Sequence, residues 1–176
     1  MKALIIIDMQ NDFAKEGGTL YFKGAENVIP HILRLISNAK KENIPIILTQ
    51  DWHEENDEEF KIWTKHCVKN TDGAKIIDEI LKLIKDYNNV YFIKKTRYSA
   101  FYNTNFDKII KKLNITEVDL AGLVSNICVL FTAEELRNRD IKVNLFKNAT
   151  NSYDQKLHEL SLRLMNEVLK INIREV

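Results

Sequence analysis

The chain has 176 residues, 45% of them hydrophobic and 29% charged, with a formal net charge of +1. That length accommodates one sizeable core rather than two, and that balance belongs to soluble globular proteins, which excludes the disordered and fibrous classes. Lys and Arg are interspersed with Asp and Glu along the whole length, so no basic block marks a nucleic-acid partner.

From the N-terminus, the apolar run Ala3 to Ile7 reads as a strand. It is too short for a signal peptide or a membrane span, and Asp8 interrupts it, so the protein is expected in the cytoplasm with no membrane partner. After an irregular stretch from Asp8 to Gly24, Asn27 to Lys41 carries Val28, Ile32, Leu35, Ile36 and Ala39 on one helical face. Pro45 to Thr49 is the second strand, and a second irregular stretch runs from Asp51 to Gly73. Lys75 to Tyr87 repeats the helical pattern through Ile76, Ile80, Leu83 and Ile84, and Val90 to Lys94 is the third strand. Val118 to Ala121 is the fourth, running through Gly122 into a helix whose first turn should hold Cys128. Lys142 to Phe146 is the fifth. Ser152 to Gln155 has the form of a capping box, after which Leu157, Leu160, Leu164 and Val168 make one apolar stripe. Asn172 to Glu175 is a sixth, short strand.

Strands alternating with amphipathic helices predict an α/β domain of three layers, α/β/α, over residues 1–176, with a mainly parallel six-stranded sheet. In such a sheet the ligand crevice lies outside the carboxyl ends of the strands. Both long irregular stretches leave strand ends, where functional loops concentrate.

Asp8, Asp51, His53, Lys95 and Cys128 all fall on that rim. A thiol at the start of a helix gains from free backbone N–H groups and from the helix dipole, and the same N–H groups can hold an oxyanion. A carboxylate beside it serves as general base and then general acid. Each also has a plainer reading: a cysteine between Ile127 and Val129 fits a small core residue, and a strand-end Asp fits a turn. Lys94 and Lys95 are adjacent, and one of them is a solvated charge. Cys67 and Cys128 are expected as free thiols.

Asp51 and His53, two apart in an extended segment, project to one side and make a natural pair of metal ligands. His66 adds a third, which leaves positions open as catalytic metal sites require. Surface Asp and His serve equally without a metal. His31 and His158 read as structural, and the acidic run Glu54, Glu55, Asp57, Glu58, Glu59 as a solvated face. Phe13, Trp63 and Tyr98 lie near these groups in sequence and suit a flat ring, though such residues also serve as plain core.

The segments ALIIIDMQNDF with GGTL behind it, TQDWH, WTKHCVKNTDGA, KKTRYSAF and GLVSNICVLFTA occur in this order over nearly the whole chain. Together they resemble the isochorismatase-like cysteine hydrolases and, within them, the nicotinamidases. The resemblance implies a Rossmann-like fold with Asp8 as catalytic acid/base, Lys95 as the lysine (KTRYSAF selects it over Lys94) and Cys128 as nucleophile. It implies Asp51, His53 and His66 as ligands of one divalent metal ion, with zinc the first choice and iron or manganese also suited. It implies Phe13 and Trp63 flanking the pyridine ring, and a cis bond between Leu123 and Val124 shaping an oxyanion hole of Val124 and Cys128. WTKHC departs from the commoner WPxHC, and the stretch from His53 to His66 is shorter than in most nicotinamidases, which bears on substrate fit.

The activity so implied is hydrolysis of nicotinamide to nicotinate and ammonia through a thioester, a step of NAD salvage, by a protein that can be a homo-oligomer. The rivals are the same chemistry on another small amide or ureido compound, a two-His-one-carboxylate iron oxygenase, and a binding module that keeps the pocket without turnover.

Overall fold

A computed structural model describes residues 1–176. In chain order the elements are β1 (Lys2–Ile7), α1 (Asn11–Ala14), α2 (Ile29–Lys41), β2 (Ile46–Asp51), α3 (Asp78–Ile84), β3 (Val90–Lys95), α4 (Phe106–Lys112), β4 (Glu117–Leu123), α5 (Leu130–Arg137), β5 (Lys142–Asn151), α6 (Gln155–Glu167) and β6 (Asn172–Arg174). The sheet order is β3-β2-β1-β4-β5-β6 with every neighbouring pair parallel, so the expected six strands are present and the sheet is wholly parallel.

β1 is an unbroken apolar run because both of its faces are covered. Ala3, Ile5 and Ile7 join the core beneath α4, α5 and α6, while Leu4 and Ile6 join the core beneath α1, α2 and α3. The strand order reverses at β1, whose neighbours β2 and β4 lead away in opposite directions, and this opens a crevice at the carboxyl ends.

Four strands extend beyond the ends expected of them: β2 continues to Asp51, β3 to Lys95, β4 to Leu123 and β5 to Asn151, because the ladder hydrogen bonds persist past the apolar runs. α4 carried no marked pattern in sequence, and the helix expected over Lys75 to Tyr87 narrows to α3.

The cap of α6 is Asp154, whose carboxylate accepts from Lys156 N and Leu157 N at 2.8 and 3.1 Å. Ser152 is not the cap: its hydroxyl donates to Asn126 Oδ1 at 2.8 Å. The apolar stripe Leu157, Leu160, Leu164 and Val168 is exposed, and α6 turns His158, Ser161 and Met165 inward. The 2.8 Å hydrogen bond between His158 Nδ1 and Ser125 Oγ, buried at the turn that holds Cys128, fits that rotation, since neither group could be buried unpaired without cost.

Gly122 has φ +121°, and a Cβ there would stand 2.1 Å from the carbonyl oxygen of Ile7. Gly122→Ala is expected to cost about 2–4 kcal/mol, from backbone strain plus the forced separation of β1 and β4. Urea unfolding measures the loss, and an unchanged midpoint would contradict the close approach.

Candidate active site

The sheet delivers its polar strand ends to one place. Asp8 leaves β1 with φ +49°, and Asp51 and Lys95 are register partners at the ends of β2 and β3. The pleat settles the choice between the two lysines. Lys95 points inward with 1% exposure, whereas Lys94 points out and rests over the Trp52 ring, 3.6 Å from its centroid. Cys128 sits in a π turn, Ser125–Val129, just ahead of α5, rather than in the first turn of a regular helix. The peptide bond from Leu123 to Val124 is cis.

Lys95 Nζ lies 2.7 Å from Asp8 Oδ2 and 3.5 Å from Cys128 Sγ, and it also donates to Asp51 Oδ1 and to the Arg97 carbonyl. Asp8 Oδ1 accepts from Thr49 Oγ1 at 2.5 Å. Burial drives the Asp8 carboxyl above its usual range despite the opposing Lys95 ammonium, and Asp51 adds to the rise. Burial likewise lifts the Cys128 thiol well above normal; Lys95 opposes it, while Asp8 and Asp51 reinforce it. For Lys95 the two carboxylates outweigh burial and hold the amine protonated. At rest this is a neutral thiol beside a carboxylate able to accept its proton, with a fixed ammonium to balance the charge of either.

The second cysteine has a different environment. Cys67 is free and buried, burial pushes its thiol upward, and its backbone N–H donates to Asp12 Oδ2 at 2.7 Å. This is a structural thiol, inert by burial.

One ligand atom each from Asp51, His53 and His66 lie within 4.8 Å of one another. Asp51 Oδ2 is 3.8 Å from His53 Nε2 and 3.6 Å from His66 Nε2. Both Nδ1 atoms have other partners: His53 Nδ1 meets Asp57 Oδ2 at 3.0 Å, and His66 Nδ1 meets the Thr64 carbonyl at 2.7 Å. His53 Nε2 is buried with no hydrogen-bonding partner. An orphaned nitrogen aimed at a carboxylate whose own pKa is held low, burial being outweighed by Lys95 and the two imidazoles, fits a divalent cation.

Asp51, His66 and Cys128 line a cavity of about 300 Å³ together with Phe13, Trp63 and Tyr98, the three aromatic residues expected near the site. Trp63 Nε1 donates to Tyr98 OH at 3.0 Å, fixing two of the walls. Leu20, Tyr21, Phe22, Ile127 and Tyr153 are also in the lining and were not foreseen, since nothing in their local pattern separates them from ordinary loop or helix residues. Phe60 was missed as well; its ring centroid lies 5.3 and 5.7 Å from those of His53 and His66.

The acidic run is not one solvated face. Glu54, Glu55 and Glu58 are exposed, but the side chain of Asp57 is largely buried and Glu59 is buried in the cavity wall, where burial and Asp51 raise its carboxyl. Gln10 was overlooked for a similar reason. Its buried side chain bridges the end of β2 to the second loop, accepting from Asp51 N at 2.8 Å and donating to the Asp51 and Ala74 carbonyls.

The profile of the isochorismatase domain family matches residues 2–173. By sequence the chain is 34% identical over 171 residues to the isochorismatase family protein PncA of Bacillus subtilis (strain 168), covering 92% of each. By structure it superposes on the crystal structure of nicotinamidase/pyrazinamidase PncA from Bacillus subtilis with a TM-score of 0.93, at 30% identity over 99% of each chain. It also superposes on the pyrazinamidase of Pyrococcus horikoshii, solved in complex with zinc, with a TM-score of 0.89, at 29% identity over 99% of each chain.

Proposed function

This chain belongs to the isochorismatase family, and on that premise we propose that residues 1–176 act as one metal-dependent cysteine amidohydrolase domain, converting nicotinamide to nicotinate and ammonia in cytoplasmic NAD salvage. The observation that carries this reading is the placement of Lys95 Nζ 2.7 Å from Asp8 Oδ2 and 3.5 Å from Cys128 Sγ, at an aromatic-walled cavity that Asp51 and His66 also face.

In the proposed reaction Asp8 takes the thiol proton and Cys128 Sγ attacks the carboxamide carbon. Backbone N–H groups of Val124 and Cys128 hold the resulting oxyanion; one such donor is worth about 3 kcal/mol of barrier. Asp8 returns the proton to the departing ammonia, then activates the water that cleaves the thioester to nicotinate. Lys95 keeps Asp8 ionised and balances the thiolate. Phe13, Trp63 and Tyr98 sandwich and steer the ring. Asp51, His53 and His66 would hold a divalent ion, zinc before iron or manganese, and its Lewis acidity would help orient the substrate ring.

The oxygenase reading leaves Asp8, Lys95 and Cys128 without a task. Ammonia release measured over nicotinamide, pyrazinamide and a panel of small amides and ureido compounds tests the substrate; no turnover of either pyridine-like amide, with turnover of a ureido compound, would reassign it. Dialysis against a chelator is expected to weaken nicotinamide binding by calorimetry, and unchanged binding would remove the ion from substrate orientation.

The pH profile has a defined sign. Asp8 must be ionised to accept the proton, so kcat/KM falls as pH drops through its folded pKa. Because burial raises that pKa, the acid limb is expected above the ordinary 3.8. An acid limb at or below 3.8 would show that another group is the base.

A further inference from the structure

Asp57 stands apart from the exposed acids around it. Its side chain is 9% exposed, and its two oxygens have separate tasks. Oδ1 accepts from Glu59 N at 2.9 Å, capping the 3₁₀ turn Glu58–Lys61, and from Arg97 Nη1 at 2.9 Å. Oδ2 is 3.0 Å from His53 Nδ1. Arg97 lies two residues beyond Lys95, and its carbonyl accepts from Lys95 Nζ at 3.2 Å. A continuous path of bonded groups therefore runs from the imidazole of His53 through Asp57 and Arg97 to the amine that faces Cys128.

An imidazole that donates Nδ1–H to a carboxylate carries its lone pair on Nε2, has a fixed ring orientation and is a stronger ligand. Nε2 of His53 is the buried nitrogen left without a partner, and it faces Asp51. A cap alone needs only Oδ1. We propose that Asp57 is a positioning residue that selects the Nδ1–H tautomer of His53 and aims Nε2 at the cation, and that Arg97, by holding Asp57, locks the cation site to the turn that carries Lys95. This rests on the reading that Asp51, His53 and His66 bind a divalent ion. The Arg97–Asp57 pair is one of three polar ties between the segment from His53 to His66 and the turn after β3, beside Arg97 Nη1 to Glu59 Oε2 at 3.6 Å and Trp63 Nε1 to Tyr98 OH at 3.0 Å.

Cobalt(II) is the probe, added to chelator-treated protein and followed by its visible absorption and by competition with a chromophoric chelator. Asp57→Ala is expected to weaken cobalt affinity roughly 10–100-fold and to alter the absorption bands. Asp57→Asn, which retains a neutral acceptor and the size of the side chain, should recover part of that loss. Arg97→Ala should weaken affinity less than Asp57→Ala. Glu58→Ala, on the same turn but exposed, should bind as the wild type does. Long-range ¹H–¹⁵N spectra of the zinc-loaded wild type should show His53 protonated at Nδ1. Wild-type affinity and bands in Asp57→Ala, or in Asp57→Asn together with Arg97→Ala should the alanine variant fail to fold, would overturn the positioning role while leaving the cation reading intact. Absence of cobalt binding by the wild-type protein would overturn both.

Discussion

Cys128→Ala is expected to reduce ammonia release from nicotinamide on the order of 10⁴-fold or more while shifting the melting temperature by only a few degrees. The large effect follows from chemistry: with no sulfur there is no thioester, and the cavity retains only binding and N–H donors. The small one follows from position. Cys128 is 6% exposed at the edge of the core beneath α5 and α6, so the lost sulfur removes about 1 kcal/mol of packing. Asp8→Asn should be comparably damaging, and the double variant no worse than either single one, because groups acting as a unit are not additive. Turnover retained by Cys128→Ala would end the nucleophile assignment.

Lys95→Met has the largest expected effect on stability. Methionine keeps the volume, but Asp8 and Asp51 are then buried beside each other with no cation between them. Breaking a buried ion pair from one side costs about 3–5 kcal/mol, and activity should vanish with it. The effect has a sign in pH. In the wild type Asp51 is held below its usual range, so its contribution is present above 3.8 and lost as pH falls through its folded pKa. Asp8, raised by burial, contributes in the opposite sense, its share being lost as pH rises through its folded pKa. Without Lys95 both carboxyls lose the largest of the effects that lower them, so the variant's deficit should be smallest under acid conditions and grow as pH rises and they ionise. Urea unfolding in chelator, at several pH values, measures this. A deficit that is constant with pH would show that the lysine acts by packing alone.

Much of this was legible before any coordinates. The alternation of apolar runs with 3.6-residue periods specified a parallel α/β sheet, because a strand buried on both faces and a helix buried on one leave different local patterns. Polar residues at the ends of such runs marked the rim, and the family resemblance carried by the motifs supplied the expected roles of Asp8, Lys95, Cys128, Asp51, His53 and His66. The strand ends themselves were read short, since hydrophobicity stops at Thr49 and Lys94 while the hydrogen-bond ladder continues to Asp51 and Lys95.

What the sequence determined by itself is local or repetitive: periodicity, breaks in it, and motifs that name a chemistry. What only the tertiary structure decided is which polar groups meet. Asp57 and Glu58 are neighbours in the same acidic run, yet one lies against His53 and an arginine 40 positions away while the other faces water. The stripe on α6 looked like a core face and is exposed, while His158 turns inward to Ser125, 33 positions distant. A period reports where side chains point along an element. It carries no information on which distant donor or acceptor will satisfy a buried polar atom, and it was that requirement, enforced through long-range hydrogen bonds and ion pairs, that completed the site.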